Sequence, residues 1–125
     1  MSRPIRLAIV DDQAVVREAL AVMLDLDPDV DVVATAADGA QAVDMAEQVR
    51  PDVILLDLSM PGLDGLGALR LIHRDHPGIT VLVLTTFAED GAIRDALGAG
   101  AGGYLTKDAD RATILRAVRE AAVRA

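Results

Sequence analysis

The feature that most constrains this chain is an alternation. Five short aliphatic runs, at residues 5–10, 30–37, 52–56, 78–87 and 102–106, are each followed by a segment with apolar residues at helical spacing. Those segments are 14–26, 39–49, 64–77, 88–100 and 108–125. The runs are aliphatic on both faces, so each strand needs cover on both sides. A parallel sheet with helices on both faces provides that, and its crossovers are right-handed. The expected fold is therefore α/β and doubly wound, with one core.

The helices indicate which of their faces turn inward. Val15, Ala19, Val22, Met23 and Leu26 form a stripe on the first, and Ala42, Val43, Met45, Ala46 and Val49 on the second. Ile114, Leu115, Val118 and Ala121 or Ala122 do so on the last. Met23, Met45 and Met60 read as packing residues. Asp38 is expected to cap the second helix and Asp64 the third. The fourth helix carries Gly91 and Gly98 and runs out into Gly100, Gly102 and Gly103. Interior glycine costs about 0.5–1 kcal/mol per site, so this helix should be marginal.

Composition narrows the function. The 125 residues are 52% apolar, with one Phe, one Tyr and no Trp, which implies an aliphatic core. The net charge of -8 is poorly suited to holding a phosphate backbone, so this domain alone should not bind DNA. There is no Cys, which removes thiolate chemistry. The apolar runs are too short to span a membrane, and the opening "MSRPIRLAIVDD" enters a strand without a signal-like region, so a cytoplasmic location is expected. A dinucleotide site would need a glycine-rich turn after the first strand, where "DDQAVV" stands instead. No phosphate-binding GxxxxGK[ST] loop occurs either.

In an open parallel sheet, sites form beyond the carboxyl ends of the strands. The first strand delivers Asp11 and Asp12, the third Asp57, and the fourth Thr85 and Thr86; Lys107 follows the fifth. Three converging carboxylates repel unless a cation neutralises them. Magnesium suits carboxylate, carbonyl and water oxygens, whereas zinc would call for His or Cys. With Asp57 as nucleophile, Lys107 as a point charge and Thr85 as a hydroxyl donor, the parts needed to form an aspartyl phosphate are present. Plainer readings exist for each residue. Asp11 or Asp12 could cap the first helix, Lys107 could be a solvated surface lysine, and Thr85 an ordinary strand residue. Tyr104 could be packing, and His73 and His76 solvated ends of the third helix.

Four segments carry a resemblance: "VDD" at 10–12, "LLDLSMPGLDG" at 55–65, "VLVLTTF" at 81–87 and "GAGGYLTKD" at 100–108. In this order, each at a strand end, they resemble the receiver domain of bacterial two-component response regulators, over essentially the whole of residues 1–125. The "LTTFAED" and "GYLTKD" forms resemble the NarL/LuxR class. The resemblance implies a (βα)5 flavodoxin-like fold with strand order 2-1-3-4-5. It implies that Asp57 is the phosphoacceptor, and that Asp11, Asp12, Asp57 and the Ser59 backbone carbonyl hold Mg2+, with Asp12 the more direct ligand of the pair. Thr85 resembles the switch hydroxyl, Lys107 the family's lysine, and Tyr104 the aromatic coupled to closure.

It further implies a sensor histidine kinase as partner, a phosphorylation-promoted homodimer, and a C-terminal helix-turn-helix domain in the full-length protein. The expected activity is signalling, with at most weak self-phosphorylation and autodephosphorylation. Many receivers follow the lysine with a proline in a cis bond. Asp108 stands there in this chain, so a trans bond is expected. A haloacid dehalogenase-like phosphohydrolase is disfavoured, because Ser59 occupies the place of its second Asp. A stand-alone receiver acting by docking stays open.

Overall fold

The computed structural model describes residues 3–58, 65–85 and 90–124. The elements run β1 (Ile5–Val10), α1 (Ala14–Asp25), β2 (Val30–Ala36), α2 (Gly39–Val49) and β3 (Val53–Asp57). They continue with α3 (Gly65–Asp75), β4 (Thr80–Thr85), α4 (Asp90–Gly98), β5 (Gly103–Thr106) and α5 (Arg111–Arg124). The strands form one five-stranded sheet in the order β2-β1-β3-β4-β5, every pairing parallel. This is the flavodoxin-like (βα)5 arrangement expected from the sequence.

The sheet separates two cores. On one face Ala8, Val10, Ile54, Leu56, Val81 and Val83 meet α2, α3 and α4. On the other, Leu7, Ile9, Val53, Leu55, Leu82 and Leu84 meet α1 and α5. β3 is central, and Val53, Ile54, Leu55 and Leu56 are all fully buried. Burying one such side chain contributes about 1.5–3 kcal/mol, which accounts for β3's lack of polar alternation. The strand is shifted one residue along from the expected 52–56 and ends in Asp57, the carboxylate expected at its exit.

The expected inward face of α1 is corrected. Val15 is 80% exposed, Val22 68% and Leu26 73%, and Ala19 is exposed too. The inward side is formed by Leu20, Ala21, Met23 and Leu24. The segment "AVVREALAVMLD" has apolar residues on most of its circumference, so periodicity admits two stripes. Packing against α5 and the edge of the sheet decides between them.

Capping follows the sequence at α2. Asp38 Oδ1 accepts from the Gln41 amide at 2.8 Å, and Gln41 Oε1 accepts from the Ala37 amide at 2.9 Å. At the other end of α2, the Arg6 guanidinium on β1 donates to the carbonyls of Val49 and Arg50 at 3.0 and 2.8 Å. α4 ends in a Schellman turn: Ala101 N donates to Ala96 O and Gly100 N to Leu97 O, with Gly100 at φ 113°. α5 begins at Arg111, later than expected, and Asp110 accepts from the Thr113 amide at 2.8 Å. The expected cap Asp64 lies outside the described residues, as do Met60 and Thr86.

Of the two histidines, His76 departs from the expectation of simple solvation. His76 Nε2 lies 2.8 Å from Glu47 Oε2, with 14% of its side chain exposed, and so joins α3 to α2. His73 is exposed at one side, but its ring fills the space where a side chain on Gly100 would stand. Among the described residues no peptide bond is cis, so the Lys107–Asp108 bond is trans.

Candidate functional site

The parallel sheet brings the carboxyl ends of β1, β3 and β4 side by side. In register, Val10 pairs with Leu56 and Asp57 with Leu84, so Asp11, Asp57 and Thr85 each sit at or just beyond the same edge. Asp11 and Asp57 are fully buried, Thr85 is 7% exposed, and Asp12 is exposed. One carboxylate oxygen from each of Asp11, Asp12 and Asp57 lies within 4.8 Å of the others. The three acidic residues picked out in the sequence therefore converge.

Lys107 closes the site from the β5–α5 loop. Its Nζ donates to Asp57 Oδ2 at 2.9 Å and lies 3.7 Å from Asp11 Oδ2. Its backbone amide donates to Thr85 O at 2.9 Å, which joins the ends of β4 and β5. The turn holding it is tied by Ala109 N to Thr106 O and by the Thr106 hydroxyl, which donates to the Asp108 carboxylate. Asp108 thus fixes this loop with a side-chain hydrogen bond. The plain reading of Lys107 as a solvated lysine fails, since only 26% of its side chain is exposed.

Asp11 is the least satisfied member of the group. Its Oδ1 accepts from the Gln13 amide at 2.9 Å, whereas its buried Oδ2 has no hydrogen-bond partner among the described residues. Burial, the largest cause, pushes its carboxyl above the usual range; the Gln13 hydrogen bond opposes this, and the Asp57 charge adds to the rise. For Lys107, partial burial works against the ammonium, but the Asp57 hydrogen bond and the neighbouring carboxylates outweigh it and raise its pKa. An orphaned, buried carboxylate oxygen beside two further carboxylates fits a hard divalent cation. Neither Asp11 nor Asp12 caps α1: the N-cap is Gln13, with no side-chain hydrogen bond, and Asp11 reaches only the Gln13 amide.

Tyr104 lies on β5, paired with Val83, and is 47% exposed. It lines a shallow groove with Leu97, Gly103, Ala117 and Glu120, two strands away from Asp57 across β4. Ser59 lies outside the described residues. Two residues at the site went unread in the sequence. A side-chain carbon on Gly65 would stand 2.6 Å from the Asp57 carbonyl oxygen, so α3 packs directly on the backbone of Asp57. Its place in "DG" before a helix was the available signal. Arg17 donates from Nη1 to the Asp11 carbonyl at 2.8 Å, and no sequence pattern marked it.

Comparison with known proteins agrees with this geometry. A family model described as the response regulator receiver domain matches residues 7–119. The transcriptional regulatory protein LnrK of Bacillus subtilis is 44% identical over 91% of this chain and 52% of its own length. The nitrate/nitrite response regulator protein NarP of Escherichia coli is 41% identical over 95% of this chain and 55% of its own. The chain thus spans about half the length of the curated relatives it matches. The signal receiver domain of NarL from Mycobacterium tuberculosis superposes with a TM-score of 0.93 at 34% identity, covering 98% of each chain. Among the described residues, no helix is long and apolar enough to cross a membrane. A parallel sheet of this order, an acidic cluster at its carboxyl edge and a matching family model together mean that this chain belongs to the response regulator receiver domains and is related to members of their NarL/LuxR class.

Proposed function

We propose that residues 1–125 act as a phosphorylation switch in which Asp57 accepts a phosphoryl group from a phosphohistidine on a sensor histidine kinase. The observation that carries this is the convergence of Asp11, Asp12 and Asp57 within 4.8 Å, with Lys107 2.9 Å from Asp57. Asp57 attacks phosphorus through a carboxylate oxygen, the P–N bond breaks, and the imidazole leaves and takes up a proton. Asp11, Asp12, Asp57 and the Ser59 carbonyl are the groups assigned to Mg2+, which when bound supplies charge neutralisation for the transferring phosphoryl oxygens. Lys107, now shared between two carboxylates, turns to the added charge, and Thr85 supplies a hydroxyl donor beside it. Tyr104 then follows, altering the face formed by α4, β5 and α5.

The relatives named above are regulators about twice this length, and LnrK is called a transcriptional regulatory protein. The output assigned here is accordingly a DNA-binding helix-turn-helix domain in the full-length protein. A stand-alone receiver acting by docking differs only in lacking that domain. The central claim is tested by incubating the chain with acetyl phosphate and magnesium and weighing it intact. One phosphoryl group should be gained by the wild type and by no molecule of Asp57→Ala. Undiminished labelling of that variant would move the acceptor elsewhere.

A further inference from the structure

The first turn of α1 is fastened in a way the phosphoacceptor chemistry has not yet used. Its N-cap, Gln13, makes no side-chain cap hydrogen bond, and the turn has no acidic residue. The usual tie between a helix start and the preceding loop is therefore missing. Arg17, one turn along, reaches back in its place: Nη1 donates to the Asp11 carbonyl oxygen at 2.8 Å. The remaining polar atoms of Asp11 are held as well. Its amide donates to Ala36 O at 3.1 Å, and its Oδ1 accepts from Gln13 N at 2.9 Å. Only Oδ2 is left over, buried, facing Lys107 and grouped with Asp12 and Asp57.

We infer that Arg17 is a positioning residue for the cation site: its guanidinium fixes the β1–α1 loop and so sets the aim of Asp11 Oδ2 and the placement of Asp12. This rests on the reading of the acidic cluster as a Mg2+ site. A half-buried guanidinium suits the task, because it keeps its charge, is weakly hydrated and makes a charge-assisted hydrogen bond to the carbonyl. The role runs against simple electrostatics. A positive charge next to a cation site repels the cation, so by charge alone its removal should tighten binding. Loss of an orienting partner should loosen it instead.

That opposition in sign makes the test. Arg17→Met keeps the aliphatic stem and removes both charge and donors. Magnesium titrated calorimetrically into the metal-free chain should bind this variant about tenfold more weakly than wild type. In labelling with acetyl phosphate, the magnesium needed for half-maximal rate should rise, while the rate at saturating magnesium stays near that of wild type. Arg17→Lys keeps the charge without the planar fork and should fall between the two. If Arg17→Met does not fold, the Arg17→Lys comparison decides: weaker magnesium binding supports the inference and equal binding overturns it. Equal or tighter binding by a folded Arg17→Met overturns it while wild-type magnesium binding stands. A wild type that binds no magnesium overturns this inference and the reading of the cluster together.

Discussion

Asp11 and Asp57 are both fully buried at neighbouring strand ends, yet their surroundings treat them differently. Asp57 holds Lys107 at 2.9 Å, whereas Asp11 Oδ2 is left without a hydrogen bond among the described residues. Without a cation, then, Asp11 is a cost to the fold. Its carboxyl is pushed up chiefly by burial, so the folded chain holds that proton more tightly than the unfolded chain. The linkage has a definite sign. The contribution of Asp11 is most favourable below its unfolded value and is lost as pH rises through the higher, folded one. In Asp11→Asn the amide keeps an acceptor for the Gln13 amide and removes the buried negative charge beside Asp57. We expect the metal-free variant to melt above wild type at neutral pH, with the difference shrinking as pH falls through that window. Saturating magnesium should reverse the order. Thermal melts with chelator and with magnesium check both, and a variant that melts below wild type under chelator would contradict the account. At this scale the site was legible where a charged residue interrupts or ends an aliphatic run, as Asp57 and Lys107 do. It was not legible where the meaning lies in a partner on another element. His76 looks solvated in "LIHRDHP" because Glu47, 2.8 Å away, is on α2. Arg17 looks like any helix arginine because its acceptor is a backbone carbonyl, to which a sequence gives no side-chain signature.

Among the elements, the strands were the most readable and α1 the least. β3 has only buried positions, so aliphatic content alone identifies it. α1 has apolar residues nearly all round, and which stripe turns inward is a matter of tertiary packing that periodicity leaves open. α4 combines both cases. Its glycines mark it as weak from sequence, but they are not equivalent in the structure. A side-chain carbon on Gly91 or Gly98 would meet nothing within 4 Å, so neither is required by packing. Gly100, by contrast, sits at φ 113° and would collide with the His73 ring at 2.3 Å. Gly98→Ala should therefore stabilise the domain by about 0.5–1 kcal/mol through helix propensity. Gly100→Ala should destabilise it by about 1–3 kcal/mol, from backbone strain and the displaced imidazole. Urea unfolding of both variants gives the comparison, and a Gly100→Ala protein as stable as wild type would mean that the Schellman turn does not hold α4. If α4 must also shift when Asp57 is modified, the stabilised Gly98→Ala protein is the variant in which that shift should be harder.

For the whole molecule, the sheet separates chemistry from structure. The acidic edge lies at the carboxyl ends of the strands, while Arg3–Asp52 and Arg119 with Asp27 and Asp29 tie down the opposite end. The net charge of -8 works against binding the phosphate backbone of a duplex. α5 does carry Arg111, Arg116, Arg119 and Arg124, but two of these are already used. Arg111 donates to the Met23 carbonyl at 3.1 Å and Arg119 pairs with Asp27 at 2.8 Å, so both fasten α5 to the region around α1. The isolated chain is thus expected not to bind DNA, and its output is expected to pass through a protein contact. The half-exposed Tyr104 and Leu97, with the small Ala117 of α5, offer a face that a change at Lys107 can reach through one short strand. Modification of Asp57 is expected to promote pairing of two such domains, weakly, because the added charge changes the aim of a few side chains rather than the core. Beryllofluoride with magnesium stands in for the phosphoryl group without turnover. Light scattering over a range of concentrations should give a monomer without it and a rising mean mass with it, and Lys107→Ala should blunt the rise. A wild type that stays monomeric at every concentration with beryllofluoride bound would rule out receiver pairing as the output of this domain. The signal would then have to act within a longer chain, by releasing whatever the unmodified domain restrains.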